Sequence, residues 1–433
     1  LRIILLILYS TIFLLCTAYQ DLPLVNTFGE IARTPIFFLT PIFIIVELIL
    51  IFRRKFKITK LQKYLLNYIL FTSTIGLIYV LILFLKGEYS FLNENLFLKY
   101  IKGELYLLLI FLYIRHCYLL FVNMSKKNIL LSILVVLTIL NLIILIEYFT
   151  IPNALLSFHS ENAPYYRIRL LTAESSWTGT IYIVYCFIAL YLTKEVRLFK
   201  SGIITYIILT ITLYTVLTLS KGFLMTLLIS LLLFVIQNIR IKKISYKQIL
   251  VTILGIGLLF AILAFVKDSI VDLFLNDIES YTSVATRSGL LLAEINILLL
   301  NPLGTGKGAY IFFLANEIPN ILKPLRNIFI MFFNATPNVS ELIRLSTDTK
   351  GLGMKSGILQ WGIEGGLFAF WYFIQTFIYL FKGVKQTSIL KYSLLFILIA
   401  ITTYISIDIK YEIWLLFAFV EFTIHSEYKA QNN

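Results

Sequence analysis

The feature that most constrains this chain is a succession of uninterrupted apolar runs, each about 18–22 residues long, filling most of its 433 positions. A bilayer's hydrocarbon core is about 30 Å thick, and a helix of about 20 residues crosses it with every backbone group satisfied internally. Runs of this length specify an all-α polytopic membrane protein. A transmembrane barrel would instead alternate apolar and polar positions over segments of about ten residues. Composition agrees: mean hydropathy is +0.90, 59% of residues are hydrophobic and 14% are charged, against roughly a quarter in soluble chains. The first run, from Ile3 to Tyr19, has no small-residue cleavage site after it and reads as a span, not a cleaved signal.

Charge then orients the spans. Counting apolar runs against basic loops gives about twelve transmembrane helices. The short loops Arg53–Lys63, Met124–Asn128, Thr193–Lys200, Arg240–Lys247 and Lys382–Lys391 are basic, with Glu195 their single acid. By the positive-inside rule these loops are cytoplasmic, as are both termini. The opposite face mixes signs: Asp268, Asp272, Asp277, Glu279, Glu317, Glu341 and Asp348 all fall in one long segment. The chain is thus expected to divide into residues 1–266, carrying spans one to nine with an outer loop over 151–176; residues 267–356, a large extracytoplasmic helical loop; and residues 357–433, carrying the last three spans and a cytoplasmic tail.

The same pattern excludes other classes. A net charge of +14 suggests nucleic acid, but the basic residues sit in inter-helix loops and make no basic face. Cys16, Cys117 and Cys186 all lie inside apolar runs, without cysteine or histidine at metal-ligand spacing, so neither a disulfide framework nor a zinc site is expected. No metal or cofactor is implied.

Chemistry is concentrated in the two longest outer segments. YYRIRLLTAESSWTG (Tyr165–Gly179) presents Arg167 and Arg169, and TRSGLLLAEINILLLNPLGTGKGAY (Thr286–Tyr310) presents Arg287. Arginine offers a rigid fork of donors that pairs with phosphate bidentately and keeps its charge at any working pH. Headgroup anchoring explains a single arginine equally well; three in two outer segments favour a shared anionic site. Glu174 stands at the head of the sixth span, where it is either an N-terminal cap or a general base. Arg287 and Glu294, seven apart, share a helix face, and that helix reads as an interfacial element too short to span. It ends at Asn301-Pro302. GTGKG (Gly304–Gly308) lacks the G-x-x-x-x-G-K-[ST] of a P-loop, because Gly308 follows Lys307, so it reads as a turn whose backbone approaches a ligand closely. His159, alone in its loop, reads as incidental. Glu47, Arg115, Glu147 and Glu421 fall within or at the ends of spans, where pairing and function compete as explanations.

Several stretches together resemble the O-antigen ligase and Wzy-type polymerase superfamily: RIRLLTAESSW, LSKGFL, TRSGLLLAEINILLLNPLGTGKG and KSGILQWGIEGGLFAF, in that order between about Tyr165 and Phe370. The resemblance implies a GT-C-like glycosyltransferase of the bacterial cytoplasmic (inner) membrane. Its site would lie on the outer face, act on polyprenyl-diphosphate-linked oligosaccharides, and work beside membrane lipid, a chain-length regulator and a flippase. It places diphosphate contacts on Arg167, Arg169 and Arg287. Where ligases carry His-Asn before the last glycine-rich span, this chain has Lys355-Ser356. An ordinary lysine ammonium has no lone pair to accept a sugar proton, so Lys355 is expected to hold a phosphate or sugar oxygen. That difference favours an inverting, metal-independent repeat-unit polymerase over a ligase. In this reading Arg287 stabilises the leaving group and Glu174 is the candidate base. A lipid-linked glycan flippase is the rival from another class, and predicts charge near the bilayer midplane.

Overall fold

The computed structural model describes residues 2–196, 199–218, 220–239, 278–280, 282–348, 352–384 and 389–432. The ninth expected span, the basic loop at Arg240–Lys247 and residues 267–277 of the large outer segment lie outside the described residues. Among the described residues the chain is almost wholly helical, and its one sheet is a hairpin pairing Ser90–Phe91 with Glu94–Asn95. Among the described residues seven helices are long and apolar enough to cross a membrane: Lys60–Leu85, Leu96–Asn123, Lys126–Thr150, Ser175–Val196, Lys200–Thr218, Ser283–Leu300 and Gly357–Gly383. Four shorter apolar helices, Ile3–Ala18, Ile36–Phe52, Gly222–Phe234 and Ile389–Thr403, fall on other expected runs. The chain is consistent with an all-α polytopic membrane protein. Ser283–Leu300, expected to be too short to span, has 18 residues and is by length and composition one of the seven.

The chain forms two compact units, one of Leu1–Leu66, Leu105–Leu231 and Ile374–Asn433, the other of Asn67–Glu104 and Leu232–Phe373. This division interleaves along the sequence.

The first unit is built around Ser175–Val196, which packs against Lys126–Thr150, Lys200–Thr218, Ile389–Thr403 and Tyr411–Asn432. Its residues are buried without a break from Thr178 to Cys186, as a helix enclosed on every side must be. Buried tyrosines need a partner for the hydroxyl. Tyr182 donates to Asn141 Oδ1 at 3.2 Å and stacks on Tyr214, while Tyr185 donates to the Leu14 carbonyl at 2.6 Å. Gly179 admits the Phe223 ring, which a Cβ there would meet at 2.3 Å. The charges expected inside spans are paired. Arg115 Nε donates to Glu47 at 2.7 Å, its Nη1 reaches Gln62 Oε1 at 2.9 Å and the Lys57 carbonyl at 3.0 Å, and its guanidinium covers the Phe56 ring. Glu421 accepts the Leu61 amide at 2.9 Å. Arg115 and Glu421 thus serve the fold.

The second unit buries one apolar core between Ser283–Leu300, Gly306–Phe333 and Ser340–Thr347. Gly289 lets Leu342 pack tightly against the first of these. The helix Gly357–Gly383 is broken at Gly366, whose φ of 57° and ψ of −146° leave the helical region. The turn 301–305 satisfies the backbone groups freed there: the Leu367 amide donates to the Pro302 carbonyl at 2.9 Å, and the Thr305 amide to the Ile363 carbonyl at 2.8 Å.

Candidate functional site

In the first unit the loop 151–174 is stitched to the end of helix Arg2–Ala18. The Gln20 amide donates to the Leu171 carbonyl at 2.8 Å, forming an isolated parallel bridge between Gln20 and Thr172. Thr172 in turn donates its amide to the Arg169 carbonyl at 3.1 Å. Glu147, at the end of Lys126–Thr150, accepts the backbone amides of Arg169 and Leu170 through one oxygen, at 3.1 and 2.7 Å.

This arrangement fixes the setting of Arg169. The side chain is buried, at 5% exposure, with its guanidinium 4.6 Å above the Tyr165 ring. Among the described residues the guanidinium makes no hydrogen bond, and its Nη2 is buried with no partner. The nearby carboxylate of Glu147 is taken up by backbone amides. A buried, oriented cation whose donors are uncommitted is the chemistry of an anion site. Arg167 and Glu174 are both exposed. Glu174 occupies the cap position of Ser175–Val196 through its carbonyl, which accepts the Trp177 amide at 3.0 Å, while its side chain reaches only the Ser176 hydroxyl, at 3.4 Å.

Two residues beside this loop escaped the sequence reading. Lys410, in the turn before Tyr411–Asn432, is fully buried, with Nζ 3.0 Å from the Trp177 ring centroid and donating to Gln20 Oε1 at 2.8 Å. Glu412, also fully buried, accepts from Thr180 at 2.6 Å and from the Gln20 amide group. Burial drives the Lys410 amine well below its usual range, against the pull of Glu412, Glu174 and Asp21. Asp21, next along the chain, holds His159 Nδ1 at 2.9 Å, Ser160 Oγ at 2.5 Å and Arg33 Nη1 at 3.4 Å. Burial raises its carboxyl, but the hydrogen bonds from His159 and Ser160 and the charge of Arg33 outweigh it, so the group stays below its ordinary value. His159 corrects the expectation of an incidental loop residue: its side chain is fully buried and its Nε2 has no partner among the described residues. Lys410, with a tyrosine and acids nearby, offered a weak signal as the charge at a turn between two apolar runs. Asp21 and His159 lie 138 positions apart, a separation no local pattern bridges.

In the second unit Arg287 and Lys355 are exposed and tied to a common neighbourhood. Glu341 accepts from Thr282 at 3.0 Å and from Thr286, the residue before Arg287, at 2.9 Å, and pairs with Lys355 Nζ at 3.4 Å. Burial raises Glu341, but Lys355 and the two threonines hold it below its ordinary value. Arg287 makes no hydrogen bond or ion pair among the described residues. Glu294, in register with Arg287, is instead buried at 1% exposure, with no hydrogen-bond partner for either oxygen among the described residues.

The glycine-rich turn corrects its reading as a ligand cradle. A Cβ on Gly306 would lie 2.0 Å from Gly76 Cα, and one on Gly304 would lie 2.4 Å from the Gly366 nitrogen. These glycines bring protein backbones together. Lys307 is buried and paired with Glu364 at 2.6 Å, against the Gly103 backbone. The chain matches no family model, no curated protein and no solved structure.

Proposed function

We propose that this protein is an oligosaccharide repeat-unit polymerase, transferring a polyprenyl-diphosphate-linked glycan to the sugar end of a second lipid-linked unit on the outer face of a bacterial cytoplasmic membrane. The observation that carries the reading is Arg169: a buried guanidinium, backed by Tyr165, with an unpartnered nitrogen and no carboxylate in hydrogen-bond contact among the described residues. Arg167, exposed beside it, extends the cationic surface. An arginine fork held in a low-dielectric setting stabilises charge developing on a departing diphosphate. Arg287 makes no hydrogen bond or ion pair among the described residues of the second unit, and Lys355, 3.4 Å from Glu341, suits a phosphate or sugar oxygen. The diphosphate leaves as an already stabilised anion, so the reaction is read as metal-independent and inverting.

One observation favours the flippase reading. Glu294, Lys307 and Glu364 are buried on helices of the second unit, two of which are long and apolar enough to cross a membrane. Buried charge on such helices is what a transport path requires.

Purified protein reconstituted with one lipid-linked repeat unit, without nucleotide, metal or partner, decides between them. A ladder of lipid-linked products is expected. Arg169→Met and Arg287→Glu should abolish it while leaving folded protein; wild-type ladders in both would overturn the assignment. Transfer of glycan to an added lipid without a ladder would make the protein a ligase, and transbilayer movement alone a flippase.

A further inference from the structure

We propose that His159, oriented by Asp21, is the general base that takes the acceptor hydroxyl's proton, in place of Glu174; this rests on the polymerase reading above. The pair has the geometry that base catalysis needs. Asp21 Oδ2 lies 2.9 Å from His159 Nδ1, with both side chains at no more than 1% exposure. The other Asp21 oxygen is engaged by Ser160 and Arg33, so the carboxylate is held in place from both sides. An ionised carboxylate can only accept, so Nδ1–H donates to Asp21, and in the neutral ring Nε2 is the atom that offers the lone pair.

That lone pair is buried and unpartnered among the described residues. Leaving a buried acceptor empty is unfavourable, and a donor hydroxyl would relieve that cost. Glu174, by contrast, is exposed, and its carboxylate is held only by the Ser176 hydroxyl, at 3.4 Å. The pair also belongs to the same connected structure as Arg169. Asp21 is adjacent to Gln20, Gln20 bonds Leu171 and bridges Thr172, and Thr172 bonds the Arg169 carbonyl. The charges around the pair are Arg33, with its partner Glu30, and Lys410, which feels Asp21 directly. Residues 161–164 follow His159, and are exposed and make no hydrogen bond among the described residues.

In the step itself, the acceptor O–H bond breaks and its proton passes to Nε2. The acceptor oxygen bonds the anomeric carbon as the bond from that carbon to the diphosphate oxygen breaks, and the electron pair leaves on the diphosphate. The imidazolium, stabilised by Asp21, then gives its proton to water.

The test measures polymerisation rate against pH for wild type, His159→Ala and Asp21→Asn, with donor binding measured alongside and His425→Ala as a control histidine. The carboxamide introduced by Asp21→Asn would donate to Nδ1, moving the ring proton to Nε2 and so removing its lone pair. Both variants should lose about 10²–10⁴-fold in turnover, bind the lipid-linked donor as wild type does, and lack the acid limb of the rate profile. Wild-type turnover with an unchanged acid limb in folded His159→Ala protein would overturn the base assignment and leave the polymerase reading standing. Loss of donor binding together with turnover would make the pair a structural clasp and would also overturn it. A wild-type protein that forms no ladder would overturn both readings.

Discussion

Gly306→Ala isolates the cost of the closest backbone approach in the second unit. Gly306 has φ +75°, and an L-residue held in the left-handed region costs about 1–2 kcal/mol. A methyl group there would also sit 2.0 Å from Gly76 Cα and 2.6 Å from Gly76 N, both backbone atoms that no rotamer change can move. Overpacking of this kind adds about 1–3 kcal/mol. Gly87 supplies the control, because its φ is +82° yet nothing lies within 4 Å of a Cβ placed on it. Gly87→Ala should therefore cost only the conformational part, and Gly306→Ala about 1–3 kcal/mol more. Unfolding in mixed micelles, followed by helical circular dichroism as a denaturing detergent is titrated, measures the difference. Equal stabilities would refute the claim that this glycine is required by the contact and not by the turn.

The Arg115–Glu47 pair should behave as a buried ion pair: Glu47→Ala is expected to cost about 3–5 kcal/mol by stranding the guanidinium, whereas Glu47→Leu with Arg115→Leu should be near neutral in the same unfolding assay. Asp21 also predicts an acid-dependent contribution to stability. Its folded value lies below the ordinary 3.8, so its contribution is complete above that value and is lost as pH falls through the folded one. The stability gap between wild type and Asp21→Asn, read by proteolysis of loop 151–174, should therefore close on acidification below about pH 4.

Helices were legible wherever length and hydropathy sufficed, because a run of about twenty apolar residues has few alternatives. Ser283–Leu300 read as too short to span because of Arg287 and Glu294, and the sequence did not reveal that Glu294 is buried while Arg287 is exposed. The arginines could be picked out by residue type, as a guanidinium near a membrane edge demands an explanation. The burial of Arg169 could not, because it depends on Glu147 capping the backbone from another helix. Asp21–His159 and Gln20–Lys410 were invisible for a related reason: each joins segments distant in sequence, and neither partner carries a local pattern. The glycine-rich turn shows the opposite failure. Its composition was correctly noticed, but glycine permits close approach without saying what approaches.

The pairing of the turn 301–305 with the break at Gly366 sets an order on the protein's biosynthesis. Pro302 and Thr305 leave the ribosome some sixty residues before Ile363 and Leu367, the groups that complete their hydrogen bonds. Hydrocarbon cannot satisfy those groups in the interval. Until the broken helix is made, the Pro302 carbonyl and the Thr305 amide depend on water or other partners for these hydrogen bonds. The spacing between them is accordingly free to vary only where it does not delay that meeting, whereas the five residues of the turn itself are fixed in number by the backbone they serve.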